Sequence, residues 1–178
     1  MSSETIETSR GFRLGDPQRT TDDFGRLMEA CQRLPAVPTA VVHPCDEGAL
    51  RAAVEAAERE LIRPLLIGPA SKIRSVAASA GLDIGSYELV DVPHSHAAAE
   101  QAVRLAREGS AEALMKGSLH TDELMAAVTD RDGGLRTERR ISHVFVVDIP
   151  SYPKPLLITD AAINIFPDLM AKRDICQN

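Results

Sequence analysis

Tryptophan is absent from the 178 residues, and aromatics of all kinds make up only 3%. The stacking platforms and aromatic cages that hold nucleobases or quaternary amines are therefore poorly supplied. Basic charge is equally sparse. The net charge is -6, the pI is near 5.4, and no Lys/Arg run exceeds the Arg139-Arg140 pair. A basic face for nucleic acid is not expected. Cysteine is limited to Cys31, Cys45 and Cys176, far apart and without CxxC spacing. That pattern makes neither a disulfide framework nor a zinc finger, and it suits a reducing cytosol. No apolar stretch approaches the ~18–20 residues of a membrane span. The first thirty residues mix Glu, Asp, Arg and Ser without the apolar core of a secretory signal. The expectation is a cytoplasmic protein with neither nucleic acid nor membrane as partner.

What is present is a core: 44% of residues are apolar, with Ala-rich stretches alternating with Val/Ile/Leu runs. Residues 1–18 are polar and aperiodic and read as a flexible lead-in. Thr20 or Thr21 is placed to cap a helix through FGRLMEACQRL that stops before Pro35. Four apolar strands follow, near 39–43, 64–67, 87–92 and 112–116, each succeeded by a helical pattern. Asp46 is placed to cap the first of these helices, whose Leu50, Ala53, Val54, Ala57 and Leu61 share one face. Pro69 opens the next and Gly81 ends it. Ser95 is placed to cap AAAEQAVRLARE, closed by Gly109, and Thr121 to cap DELMAAVT. Short apolar strands alternating with helices describe a three-layer α/β sandwich with a mainly parallel sheet.

The pattern changes at Gly133-Gly134 and the charged run 136–140. Two apolar strands, SHVFVVDI (142–149) and PLLITDAAI (155–163), are close enough in sequence to pair antiparallel. Pro167 then opens a helix whose Leu169, Met170 and Ile175 are expected to face a core. The domain reading is a lead-in at 1–18, an α/β domain at 19–140, and the opening strands and helix of a second domain at 141–178. About forty residues are too few for a core of their own, so this second domain reads as truncated.

Five stretches carry a family resemblance: PTAVVHPCDEGALRAAVEAA, RPLLIGPASKI, ALMKGSLHTDELMAAV, LRTERRISHVFVVD and PLLITDAAINIFPDL. In this order and spacing they resemble the phosphate acetyltransferase/phosphate butyryltransferase family, from about Pro38 to the end. The first stretch is most similar to the branch in which this module follows an enoyl-CoA hydratase-like domain, of which the 178 residues hold no sign. The resemblance implies a fold like that of isocitrate and isopropylmalate dehydrogenases, with a cleft between two α/β domains. It also implies a phosphate acyltransferase moving an acetyl or butyryl group between coenzyme A and inorganic phosphate. The family's later Ser-Arg pair and nearby Asp have no counterpart, so the chain alone is expected to be inactive. Homo-oligomers are expected only of a full-length form.

Thiol attack on an acyl phosphate needs donors for a phosphate dianion, a base for the thiol proton and donors for an oxyanion. It needs no metal or cofactor, the coenzyme A thioester being a substrate. Lys116, Gly117, Ser118, His120 and Thr121 lie between a strand and a helix, where α/β sheets bind ligands. The plain alternative is a turn with a capping Thr. The lack of an Arg in the following helix, where Leu124, Met125 and Ala126 stand, resembles the butyryl branch and leaves acyl specificity open. Arg136 is the phosphate-binding choice among the three arginines of its run, against a solvated surface role. Ser142 and His143 open a strand, and either meet substrate or bond to backbone. Asp160 follows a strand, and with Asn164 it belongs to a segment that lines the family's cleft. His143 and Asp160 are the catalytic candidates; Ser142 and Asn164 are assigned to substrate. Ala161 stands where many acetyl-branch members have cysteine, which excludes a catalytic thiol there. His94 and His96 lack a third ligand at suitable spacing and read as a polar helix start rather than a metal site. His43 and Cys45 follow the first strand and receive no role. Two other readings compete: an inactive truncated fragment or partial coenzyme A-binding module, and a dehydrogenase of the isocitrate type. The dehydrogenase would want an Asp cluster on a later helix, which the sequence does not offer.

Overall fold

The computed structural model describes residues 23–149, 152 and 154–178. The lead-in at 1–18 and the caps at Thr20 and Thr21 lie outside the described residues. The chain divides into two units. One is Glu29–Arg139; the other joins the described residues up to Met28 with Arg140–Asn178. The division falls within the sequence of helix α1 (Asp23–Cys31).

The larger unit holds strands β1 (Val37–Val42), β2 (Ile62–Gly68), β3 (Glu88–Asp91) and β4 (Ala113–Lys116). They form one parallel sheet in the order β3-β2-β1-β4, with Ala40 opposite Leu65 on one side and Leu114 on the other. Helices α2 (Glu47–Glu58), α3 (Ala70–Ala80), α4 (Ser95–Arg107) and α5 (Thr121–Val128) follow the strands in turn. Alternation along the strands sends side chains to two cores. Val41 and Leu66 pack with Leu50 and Ala53 of α2 and with Ile73 and Ala77 of α3. Ala40, Val42 and Ile67 pack with Ala98, Ala99 and Ala102 of α4 and with Leu124 of α5. With both faces covered, the central strands β1 and β2 read as near-continuous apolar runs, as the sequence showed. The three-layer parallel α/β arrangement is the observed one.

Several local expectations hold and others are corrected. Asp46 caps α2, its Oδ1 accepting the Ala49 N–H at 2.9 Å. Gly81 ends α3 in the left-handed region at φ 66°, where a glycine carries no Cβ penalty. The cap of α4 is His94 rather than Ser95; its Nδ1 accepts the Ala97 N–H at 3.2 Å, doing with an imidazole what a hydroxyl usually does. The cap position of α5 is His120 rather than Thr121, which is already helical.

In the smaller unit β5 (Val144–Val147) and β6 (Leu156–Thr159) pair antiparallel, as the short connection implied. Helix α6 (Leu169–Gln177) starts after Asp168, whose Oδ1 accepts the Ala171 N–H, so Pro167 does not open it. Ile175 is buried as expected, but Leu169 and Met170 are exposed. The buried positions Ala171, Asp174 and Ile175 repeat three and four apart and define a face that excludes both.

Candidate functional site

Strand order places the ligand end of the parallel sheet. From β1 the chain proceeds through α2 to β2 on one side; from β3 it returns through α4 to β4 on the other. The switch point lies between the carboxyl ends of β1 and β4, where Val42 stands opposite Lys116. Two loops leave the sheet here, residues 43–46 and 116–120, and they are bonded to each other. The Gly117 N–H donates to Val42 O and the Ser118 N–H to His43 O, each at 2.9 Å. The Ser118 hydroxyl donates to His43 O at 2.9 Å and accepts the Cys45 N–H at 3.0 Å. The His43 ring completes the set, with Nδ1 2.9 Å from Ser118 O.

Each expected residue of the 116–121 loop therefore has a distinct place. Gly117 permits close approach of backbone, but the chain that approaches is β1: a Cβ there would stand 2.4 Å from Val42 O. The Ser118 hydroxyl is engaged with backbone on both sides. Lys116, His120 and Thr121 are exposed. A pocket of about 440 Å³ opens over the loop, lined by residues 116–120 with Asp46, Ser95 and Glu123. No side chain caps α5 at His120, whereas α2, α4 and α6 are closed by Asp46, His94 and Asp168. The first amides of α3 are served by Asp91, whose Oδ1 accepts the Ala70 N–H at 2.8 Å. Uncapped N–H groups beside a lysine are suited to an anion. Glu123 adds a carboxylate whose Oε2 is buried without a partner and whose Oε1 lies 3.7 Å from His96 Nδ1. Cys45 is buried, and burial pushes its thiol up, against the pull of Lys72 and with a smaller push from Asp46. Arg136 is exposed on the segment that leads out of this unit.

The smaller unit brings together His143, Asp160, Asn164 and Ser142. Asp160, just after β6, is an acceptor hub. Its Oδ1 takes the His143 N–H at 2.9 Å and those of Ile163 and Ala162 at 3.3 and 3.4 Å. Its Oδ2 takes the Asn164 N–H at 2.8 Å and the Asn164 side-chain amide. Desolvation pushes this carboxyl up, but the Asn164 amide and the backbone donors outweigh it and hold the group well below the usual carboxylate range. A carboxylate held this low is a poor proton acceptor at neutral pH. The Asn164 amide also reaches Ile141 O at 3.0 Å, and Asn178 donates to the Ser142 hydroxyl at 2.9 Å. His143 Nδ1 is buried without a partner, its ring edge-on to Phe145 with centroids 4.3 Å apart.

Among the described residues no group of three or more His, Cys, Asp or Glu is placed to hold a metal ion. No helix among them is long and apolar enough to cross a membrane. Sequence reasoning left out His43, Asp46, Ser95 and Glu123 as site residues. The signal for His43 was its position just past an apolar strand, but that becomes informative only once β1 and β4 are known to be neighbours.

No protein-family model matches the chain. It is 61% identical over 155 residues to a phosphate acetyltransferase of Rhizobium meliloti, covering 87% of this chain and 49% of that protein. It is 33% identical over 156 residues to a phosphate butyryltransferase of Clostridium beijerinckii, covering 88% of this chain and 52% of that protein. The fold is shared with a phosphotransacetylase from Streptococcus pyogenes at a TM-score of 0.72 and 19% identity, over 87% of this chain and 55% of the other. The chain thus spans about half the length of the curated relatives it matches. Over that half, it belongs to the phosphate acetyltransferase/phosphate butyryltransferase family.

Proposed function

We propose that this chain contributes to a phosphate acyltransferase that moves an acetyl or butyryl group between coenzyme A and inorganic phosphate. The 61% identity to a phosphate acetyltransferase carries the reading. In the direction of acyl-CoA, the thiol sulfur attacks the carbonyl carbon of the acyl phosphate. The carbon–oxygen bond to phosphate breaks, phosphate leaves with the electron pair, and the thiol proton passes to a base. The reaction as proposed uses no metal, no redox cofactor and no covalent protein intermediate. Its partners are acyl-CoA, phosphate and acyl phosphate, and its compartment is the cytoplasm.

Within this reading Lys116 and the first N–H groups of α5, at His120 and Thr121, take a phosphate of either substrate. Gly117 and Ser118 set the path of that loop. Arg136 supplies a second phosphate contact. His143 is the proton acceptor, since its Nδ1 has unused hydrogen-bonding capacity. Asp160 acts by fixing the His143 backbone and Asn164, while Ser142 and Asn164 offer donors to the acyl group. The test is thiol release from acetyl-CoA and butyryl-CoA by the purified chain in phosphate, and again in arsenate. In a complete homologue that carries this loop, Lys116→Ala is expected to raise the KM for phosphate or coenzyme A, by roughly tenfold for a charge-assisted contact worth ~1.5 kcal/mol. A folded variant with both KM values unchanged would return the loop to a capping turn. A second reading, a coenzyme A-binding module without turnover, is favoured by the half-length match to the relatives. Binding of coenzyme A with no thiol release selects it.

A further inference from the structure

We infer that His43 is the positioning residue of the ligand-end loop at 116–120, a proposal that rests on that loop's role in binding substrate. The backbone of His43 has φ 55°, in the left-handed region. That conformation strains a side-chain-bearing residue and persists only where its surroundings over-determine it. Here they do. The His43 N–H is held by Ile67 O of β2 at 2.7 Å. Its carbonyl, turned by the left-handed φ, receives the Ser118 N–H, the Ser118 hydroxyl and the Cys45 N–H, at 2.9, 2.9 and 2.8 Å.

The ring adds a side-chain contact to these backbone bonds. Its Nδ1 lies 2.9 Å from Ser118 O. A carbonyl oxygen only accepts, so Nδ1 is the protonated, donating nitrogen of this contact. His43 thus grips Ser118 at its N–H, its hydroxyl and its carbonyl, across 75 residues of sequence. The residue is 9% exposed, so water competes little for these bonds. Lys116 and the start of α5 lie on either side of the gripped residue. Their aim at a bound anion is set by a group that itself lines no part of the pocket.

Two amides separate this role from ordinary structural support. An Asn side chain presents its donor where Nδ1 stands and tolerates the left-handed region; a Gln side chain presents it near Nε2 instead. The isotope-labelled chain is titrated with coenzyme A, and separately with inorganic phosphate, following the amides of Gly117, Ser118 and Thr121, with Tm recorded for every variant. His43→Asn is expected to bind both within about twofold of the native chain. His43→Gln is expected to weaken binding roughly three- to tenfold, the scale of one lost hydrogen bond. His43→Gly, which keeps the backbone conformation and deletes the ring, is expected to match Gln. Native affinity in all three, or native affinity in Gln with a loss in Asn, overturns the proposal. A change in Tm with affinity unmoved also overturns it. If the native chain binds neither probe, the ligand role of the loop falls and the proposal falls with it. Native binding that is indifferent to His43 removes the proposal alone.

Discussion

Replacing Gly117 by alanine asks the two ligand-end loops to accept one methyl group where the fold leaves no space. The new Cβ would stand 2.4 Å from Val42 O, 2.7 Å from His43 O and 2.8 Å from the His43 carbonyl carbon. All three neighbours are backbone atoms, so no side-chain rotation relieves the contact. The strands must separate, and separation strains the bonds from Gly117 N to Val42 O and from Ser118 N to His43 O, each 2.9 Å long. Overpacking costs ~1–3 kcal/mol, and two weakened buried hydrogen bonds add ~0.5–1.5 kcal/mol each. The expected destabilisation is therefore roughly 2–6 kcal/mol. Gly109→Ala supplies the control: its φ is 76° but nothing lies within 4 Å of the new Cβ, so only the left-handed penalty applies. That penalty is about 1–2 kcal/mol. Urea unfolding followed through the amides of Ala40, Val41 and Val42 reports on the parallel sheet alone. Gly117→Ala unfolding at a higher urea concentration than Gly109→Ala would refute the steric account.

Two further outcomes follow from titratable groups. The folded pKa of Asp160 lies below its unfolded value, so its contribution is fully present above about pH 4 and is lost as pH falls toward the folded pKa. Asp160→Asn should flatten this acid limb in an unfolding titration read at the β5 amides; an unchanged limb would assign it to other carboxylates. Cys45 is buried with its thiol pushed up, while Cys176 is exposed. Iodoacetamide at pH 7.5 should modify Cys176 well before Cys45, as mass spectrometry of the digested chain would show, and the reverse order would contradict the burial of Cys45.

The layered fold was legible because the central strands β1 and β2 are short apolar runs buried on both faces and several helices carry a local start or stop signal. Asp46 and Gly81 act within four residues of themselves, so their roles could be read from neighbours. His94 was passed over because its capping atom is a ring nitrogen, a rarer acceptor than the Ser95 hydroxyl beside it. The 116–121 loop was legible as a ligand end from its place after a strand. Its anchoring was not, since His43 and Ser118 meet only because β4 docks beside β1 and not beside β3. Asp160 was read from its place after a strand and in a segment that resembles the family's cleft lining. The succession of amides that it collects depends on how the chain turns after β6, which composition does not reveal.

The non-consecutive docking of β4 also biases the order in which this unit assembles. Thr39 pairs with Pro64 across 25 residues and with Ala113 across 74. Closing the longer loop costs about 1 kcal/mol more, because the entropy penalty grows as the logarithm of length. Pairing of β1 with β2, and of β2 with β3, is thus cheaper to nucleate than the pairing that creates the crevice. On this ordering the ligand-end loops are expected to come into register last, after α4 has crossed the sheet. A substitution that slows β4 docking would then delay the appearance of the binding crevice while leaving the rest of the sheet to form on its usual schedule.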